Sequence, residues 1–224
     1  MNARFWKTLL GSLGYVGLAL LCLIRWGRPH PWVRVDFFAG GYLCLKLLSV
    51  FHSVWSSRSV FRSKSLMRQW WALDSDPKGP HWIALLMVAD LTIFLDYGHW
   101  RLLPELQQPV LQSFGLGLYL ATSIGKVWTD VYLARYFNWR DRGLLPMDCG
   151  PYRYVRHPRY AAAIVARLAL ALTLASFLGW LLAAVWMVIL LRQIAVEELH
   201  LRTMFGSSYE AYSQTTAKVL PGIY

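Results

Sequence analysis

The chain has 224 residues, of which 56% are hydrophobic and only 16% are charged, and its mean hydropathy is +0.35. An ordinary soluble domain carries roughly 45–50% apolar and about 25% charged residues, so this composition indicates an integral membrane protein. The formal net charge of +11 does not point to a nucleic-acid partner, because the basic residues lie between apolar segments without any zinc-finger or RNA-binding motif.

Apolar segments of the length needed to cross roughly 30 Å of hydrocarbon recur along the chain. The first four predicted spans are Phe5–Ile24, Asp36–Trp55, Trp82–Gly98 and Val110–Trp128. The last apolar stretch, Tyr160–Val196, is too long for one crossing and has Ser176-Phe177-Leu178-Gly179 near its middle, which predicts a tight helical hairpin. The sequence therefore predicts an all-α integral membrane protein with about six transmembrane helices.

An amphipathic tail follows the hairpin and is expected to lie at the membrane interface. Residues Glu197–Phe205 continue the last helix, Gly206 is placed to cap it, and Ser207-Ser208 can begin another short helix. We divide the chain into an N-terminal four-helix transmembrane region, residues 1–128, and a C-terminal region, residues 129–224, with the last loop, the hairpin and the tail.

The distribution of basic residues predicts the orientation of the spans, because Lys and Arg concentrate in cytoplasmic loops. The N-terminus, the loop before the third span and the loop before the hairpin would share one side and together hold thirteen Lys and Arg residues. The opposite side holds four, which are Arg25, Arg28, Arg34 and Arg101. We therefore expect a multi-pass protein with both termini in the cytoplasm, in a bacterial inner membrane or the endoplasmic reticulum.

One stretch concentrates groups that can carry chemistry: Gly150-Pro151-Tyr152-Arg153-Tyr154-Val155-Arg156-His157-Pro158-Arg159-Tyr160. It lies where the last cytoplasmic loop re-enters the membrane, and Pro158 suits the first turn of the following helix. Glu197-Glu198 comes 40 residues after His157, enough for a trip through the bilayer and back, so both motifs return to one face. Ionisable groups at such a position are costly and usually functional. On residue types alone, arginines anchored to lipid phosphates and a solvated pair of glutamates explain the pattern as well.

The stretch resembles the Gly-Pro-Tyr…Arg-His-Pro-x-Tyr signature of the isoprenylcysteine carboxyl methyltransferase family. The downstream Glu197-Glu198-Leu199…Phe205-Gly206-x-x-Tyr209-x-x-Tyr212…Leu220-Pro221 is similar to that family's second block, in the same order. The related phospholipid N-methyltransferases share much of this pattern. The resemblance covers about Asp148–Ile223, roughly a third of the chain, and implies a membrane-embedded, S-adenosylmethionine-dependent methyltransferase.

A cofactor pocket formed by the two motifs and closed by the tail is what the resemblance implies. Its expected S-adenosylmethionine-binding residues are Tyr152, Val155, His157, Tyr160, Glu197 and Glu198. Arg156 is expected to orient the substrate or act in catalysis, and Glu197 or Glu198 to accept a proton if the acceptor is an amine. Two positions depart from the family pattern: Ala162 stands where Gly is common, and Lys218 stands where many relatives have Arg, which leaves the substrate's polar contact open.

The reaction implied is methyl transfer to a lipophilic acceptor at the membrane surface, with a prenylcysteine carboxylate as the leading acceptor. A phospholipid or another lipid amine is the second candidate, because the motifs are shared. A membrane NADPH-dependent sterol-type reductase and a non-enzymatic scaffold are further alternatives. No metal is expected, because the histidines form no close-spaced boxes and the two carboxylate-histidine pairs, Asp96-x-x-His99 and Glu197-x-x-His200, would face opposite sides.

Some charged residues fall well inside the predicted spans. Lys46 and Asp90 lie at similar depth in antiparallel spans, so we predict that they either form a structural ion pair or line a substrate cavity. Arg167 lies about two turns into the hairpin, where its side chain can extend to the interface or reach the cofactor cavity.

Overall fold

A computed structural model describes residues 3–23, 37–60, 88–136 and 150–221. Seven α-helices lie in these ranges: α1 Ala3–Leu23, α2 Phe37–Val60, α3 at 88–95, α4 Pro109–Tyr136, α5 Pro158–Thr173, α6 Phe177–Phe205 and α7 Ser207–Thr215. A π-helical turn, Asp96–Trp100, continues α3, and short 3₁₀ turns occupy Pro104–Leu106 and Gly150–Arg153. Within the described ranges the chain is all-helical apart from one isolated bridge between Val155 and Ala217.

The helices agree with the predicted spans to within several residues at most ends. The third predicted span is described only from residue 88 onward, so its first residues, 82–87, lie outside the described ranges. The hairpin turn lies at residues 174–176, slightly before the predicted position, and α6 runs on through Glu197-Glu198 to Phe205 as expected. Gly206 ends α6 with φ +52, a backbone conformation that favours glycine, and α7 follows directly.

The membrane-crossing character is clearest for α6. Among the described residues, Phe177–Thr203 is the one helical segment with the length and apolar composition of a membrane crossing. Shorter apolar helical segments are Leu13–Leu23 and Phe37–Ser49. The six-helix transmembrane topology, the division at residue 128 and the orientation of the termini remain predictions.

Helix α4 packs closely and antiparallel against α5, which places the loop motif next to the end of α4. Gly115 makes this approach possible, because a Cβ there would lie 2.5 Å from the backbone nitrogen of Thr173. The Gln112 side-chain amide donates to the Thr173 carbonyl at 3.1 Å, a buried hydrogen bond between the same helices. An aromatic core from α1–α4 packs beside this pair, with the Tyr42 and Tyr119 ring centroids 4.7 Å apart.

The hairpin turn is fixed by a buried carboxylate. Asp96, only 2% exposed, accepts hydrogen bonds from the Ser176 hydroxyl at 2.6 Å, from the Leu178 N–H at 3.2 Å and from the Leu102 N–H at 3.0 Å. Ser176 in turn caps α6 by accepting from the Gly179 N–H at 3.0 Å. The π-helical turn, the following loop and the start of α6 therefore share one acceptor.

A buried ion pair between α3 and α5 corrects one prediction. Asp90, 5% exposed, pairs with Arg167 rather than with Lys46, and the Arg167 guanidinium also lies 5.1 Å from the centroid of the Trp186 ring. The Lys46 amine instead lies 6.0 Å from the centroid of the Tyr15 ring. The predicted Lys46–Asp90 pair is wrong because the rotation of each helix about its axis, which decides which charges meet, is not readable from depth alone.

Candidate active site

The loop motif begins with a turn that requires glycine. Gly150 has φ +58, and a Cβ at this position would lie 2.3 Å from Cε2 of Tyr132, so a side chain is excluded both by conformation and by space. The 3₁₀ turn Gly150–Arg153 follows and buries Pro151. The motif is in this way set against the C-terminal half of α4.

Helix α5 begins at Pro158, which leaves Arg156 and His157 just outside it. His157 is the N-cap residue and is 5% exposed. Its Nδ1 lies 3.7 Å from Oε2 of Glu197 and its Nε2 lies 3.4 Å from Oε1 of Glu198, while its ring packs edge-on against Tyr160 with centroids 5.8 Å apart. The loop motif and the glutamate pair therefore meet at one point, as the spacing predicted.

Two cations bind the more deeply buried glutamate. Arg156 Nε donates to Glu198 Oε1 at 3.0 Å, and Lys218 Nζ lies 3.5 Å from Glu198 Oε2. The Glu198 side chain is 7% exposed, whereas that of Glu197 is 18% exposed. Glu198 is thus held by the protein's own cations, and Glu197 is the more accessible carboxylate.

The residues after α7, which we call the C-terminal strap (residues 216–221), lie across the loop motif. Val155 pairs with Ala217 in a parallel bridge, the Arg156 N–H donates to the Ala217 carbonyl at 2.8 Å, and the His157 N–H donates to the Lys218 carbonyl at 3.1 Å. Within α7, the Tyr212 hydroxyl donates to the Tyr152 carbonyl at 2.7 Å. The tail closes the site mainly through main-chain contacts.

Burial keeps the His157 side chain neutral near neutral pH. Burial lowers its pKa to about 4, and the cations Arg156 and Lys218 act in the same direction, while Glu198 opposes them. Burial together with Glu198 raises the pKa of the Tyr209 hydroxyl to about 12, so this group stays protonated near neutral pH. The Tyr209 hydroxyl is buried and makes no hydrogen bond to any described residue.

The lowered pKa of His157 predicts a pH-dependent stability. The unfolded chain protonates His157 near pH 6.5, whereas the folded chain does so only near pH 4. The contribution of neutral His157 to the free energy of unfolding is therefore full above pH 6.5 and is lost as the pH falls toward 4. Thermal unfolding in detergent between pH 4 and 7.5 should show this loss, and His157→Gln should flatten it while His200→Gln should not. Equal pH profiles for the wild type and His157→Gln would contradict a buried neutral His157.

The predicted site residues are distributed as follows. Arg156, His157, Tyr160, Glu197 and Glu198 lie in one cluster, and Val155 is tied to it through the strap. The Tyr152 ring lies beside Tyr132, with centroids 6.2 Å apart, and its carbonyl anchors α7. That these residues bind S-adenosylmethionine remains a prediction.

Two residues of the cluster, Tyr209 and Lys218, were not predicted as site residues. Both belong to the second motif block, and Tyr209 is 1% exposed. The signal that could have found Tyr209 is its fixed place in that block, three residues after Gly206.

An apolar groove of about 280 Å³ lies on the surface between α4 and α5. Gly125 and Thr129 line it on the α4 side, and Ala162 and Val165 line it on the α5 side. Its wall also includes Val155 and Pro158, the residues that flank Arg156-His157 in the chain. The groove therefore runs beside the site and presents a predominantly apolar surface.

Comparison with known proteins agrees with the motif resemblance. The model of the phospholipid methyltransferase family matches residues 110–208, which begin near the start of α4 and end at the start of α7. Methanethiol S-methyltransferase 1 of Bradyrhizobium diazoefficiens is 27% identical over 235 aligned positions, which cover 97% of this chain and 78% of the relative. No solved structure matched the chain. These comparisons support a methyltransferase that resembles the isoprenylcysteine carboxyl and phospholipid methyltransferases.

Proposed function

We propose that the chain transfers a methyl group from S-adenosylmethionine to a thiol acceptor at the cytoplasmic membrane surface. The observation that carries the proposal is the meeting of neutral, buried His157 with Glu197 and Glu198, at the convergence of the two motif blocks. A site of this kind can bind a cationic donor and can accept a proton from the group that is methylated.

The polar groups of the site fit S-adenosylmethionine. When bound, this cofactor supplies an electrophilic methyl group on a sulfonium, and it carries an ammonium, a carboxylate and a ribose diol. Glu197 is suited to accept from the ammonium or the diol, because it is the more accessible carboxylate. The Tyr209 hydroxyl provides a further polar atom that has no hydrogen bond within the described chain. The site residues would orient the donor and exclude water, which is most of what an in-line displacement requires.

The accessible carboxylate of Glu197 can accept a proton, which suits an acceptor that must lose one. A thiol with a pKa near 8.5 is largely protonated at neutral pH, and its methylation releases that proton, whereas a carboxylate is already ionised. In the proposed step the acceptor sulfur would bond to the methyl carbon, the electron pair of the methyl–sulfonium bond would pass to the cofactor sulfur, and Glu197 would accept the thiol proton. The name of the relative that aligns with 97% of this chain, a methanethiol S-methyltransferase, supports the same acceptor class.

A prenylcysteine-type carboxylate is the second candidate acceptor, and the Arg-His-Pro-x-Tyr motif favours it through the family resemblance. The groove beside Val155 and Pro158 is apolar enough to accept part of a lipid chain from the membrane. This acceptor needs no base, so its methylation would leave Glu197 without a proton-transfer role.

Binding measurements test the donor. Detergent-purified full-length protein would be titrated with S-adenosylmethionine, S-adenosylhomocysteine and NADPH by calorimetry. We expect micromolar binding of the first two ligands and a loss of at least about tenfold in affinity in His157→Ala and Glu197→Ala, because charge-assisted hydrogen bonds are lost. Glu210→Ala, which changes an exposed carboxylate on α7, is the matched control and should bind as the wild type does. Binding of NADPH alone would contradict the proposal in favour of a reductase.

Methyl transfer assays separate the acceptors. The protein, with donor carrying a labelled methyl group, would be offered a short alkanethiol, an S-farnesylcysteine and phosphatidylethanolamine in detergent micelles. Labelled thioether from the thiol supports the proposal. Labelled methyl ester alone would transfer it to the carboxylate, and labelled phospholipid alone to the amine.

A further inference from the structure

Two of the three nitrogens of the Arg156 guanidinium, Nε and Nη1, donate hydrogen bonds to the protein. Its Nε donates to Glu198, and its Nη1 donates to the Ser213 carbonyl at 2.6 Å and to the Thr216 carbonyl. The side chain is only 10% exposed. An arginine that orients an acceptor would need donors directed into the acceptor site, whereas these donors are directed at α6 and at the end of α7.

The contacts of Arg156 satisfy a helix end. The last carbonyls of an α-helix have no partner within the helix, and a cation placed there binds them and is favoured by the helix dipole. Ser213 lies in the last turn of α7, and Thr216 is its C-cap and the first residue of the strap. Arg156 therefore fixes the point from which the strap departs.

The same residue sets the glutamate pair. Glu198 accepts from Arg156 through Oε1 and lies against Lys218 of the strap through Oε2, so one carboxylate ties α6 to both sides of the closure. The main-chain N–H of Arg156 donates to Ala217 between these two contacts. Glu198 could turn toward a bound cofactor only by breaking its contacts with Arg156 and Lys218. Glu197 is therefore the carboxylate that is available to the cofactor.

From these contacts we infer that Arg156 is a positioning residue: it latches the C-terminal strap over the cofactor site and holds Glu198 beside His157. The inference rests on the proposed function, because the strap is taken to cover the methyl donor. It predicts that loss of Arg156 speeds cofactor release and weakens cofactor binding, while the rate of methyl transfer at saturating donor is little changed.

Steady-state kinetics of Arg156→Lys and Arg156→Gln test this role. Lysine keeps the charge but cannot place two donors where the planar guanidinium does, so both variants should raise the KM for S-adenosylmethionine by roughly ten- to hundredfold, as expected for losing a charge-assisted hydrogen bond. The kcat should stay within about threefold of the wild type. The matched control is Arg159→Ala, an exposed arginine of the same motif that pairs with Asp130 outside the strap. A kcat that falls a hundredfold or more with an unchanged KM would overturn the inference and make Arg156 a catalytic residue.

Hydrogen exchange tests the latch without any cofactor or acceptor. Amide exchange in residues 213–221 of the full-length protein should be faster in Arg156→Lys than in the wild type or in Arg159→Ala, and Lys218→Ala should show a smaller change in the same direction. Unchanged amide exchange in both Arg156→Lys and Lys218→Ala would reject the latch even if methyl transfer is observed. Faster exchange without methyl transfer would leave the latch in place and count against the proposed function only.

Discussion

Replacing Arg167 by alanine is expected to lower the free energy of unfolding by about 3–5 kcal/mol, because it leaves the buried Asp90 carboxylate without its cation. Asp90 is 5% exposed and lies between helices, where water cannot replace the lost partner. The change also removes the guanidinium from the face of Trp186. Thermal unfolding of the detergent-purified protein is the measurement, with the loss appearing as a lower melting temperature.

Two comparisons sharpen this expectation. Lys126→Ala breaks a more exposed ion pair with Asp130, 3.3 Å apart at positions i and i+4 of α4, and should cost only about 0.3–0.5 kcal/mol. The double variant Asp90→Asn with Arg167→Gln should recover most of the loss, because two neutral groups replace one unpaired charge. If Arg167→Ala proved no more destabilising than Lys126→Ala, the pair would have no structural role.

Asp96→Ala is expected to destabilise the protein by about 3 kcal/mol, because three donors lose a charged acceptor at once. The Ser176 hydroxyl and the Leu178 N–H are left unsatisfied at the hairpin turn, and the Leu102 N–H at the loop after the π-helical turn. Gln112→Ala, which removes one neutral hydrogen bond at the same end of α5, is the matched control and should cost about 1 kcal/mol.

The position of Asp96 predicts that this destabilisation leaves the active site intact. The 16 residues of α5 separate the hairpin turn from His157 by about 24 Å. Calorimetric affinity for S-adenosylhomocysteine should therefore match the wild type at temperatures where the Asp96→Ala variant remains folded. A parallel loss of affinity and stability would show that the turn and the site are coupled, contrary to this expectation.

The positions of the helices could be predicted from the sequence better than the way in which the helices pack against one another. Gly206 and the apolar blocks located the helix ends, because conformational preference and hydrophobic length act locally. The hairpin turn lies earlier than predicted, because Ala175 adopts φ +45 and Ser176 is the N-cap of α6. The segment Ser176-Phe177-Leu178-Gly179 does not by itself show which of its residues belong to the turn and which begin the helix. The partner of Asp90 was missed because it depends on how α3 and α5 are rotated against one another.

For the site, the motifs predicted which residues converge but not what each one contacts. Glu197 and Glu198 are adjacent and chemically identical, and only the fold distinguishes the accessible carboxylate from the one held by Arg156 and Lys218. The role of Arg156 was not readable because its partners Ser213 and Thr216 act through carbonyl groups. Main-chain acceptors are present at every residue and leave no mark on the sequence.

The bridge between Val155 and Ala217 bears on how the protein can diverge. Its neighbouring hydrogen bonds use the N–H groups of Arg156 and His157 and the carbonyls of Ala217 and Lys218, so the closure places demands on backbone shape and few on side chains. Proline at position 156 or 157 would remove a main-chain N–H donor. Position 217 can accept many different side chains as long as the segment stays extended. The side chains of the strap can therefore change while its main-chain contacts with the loop motif stay the same.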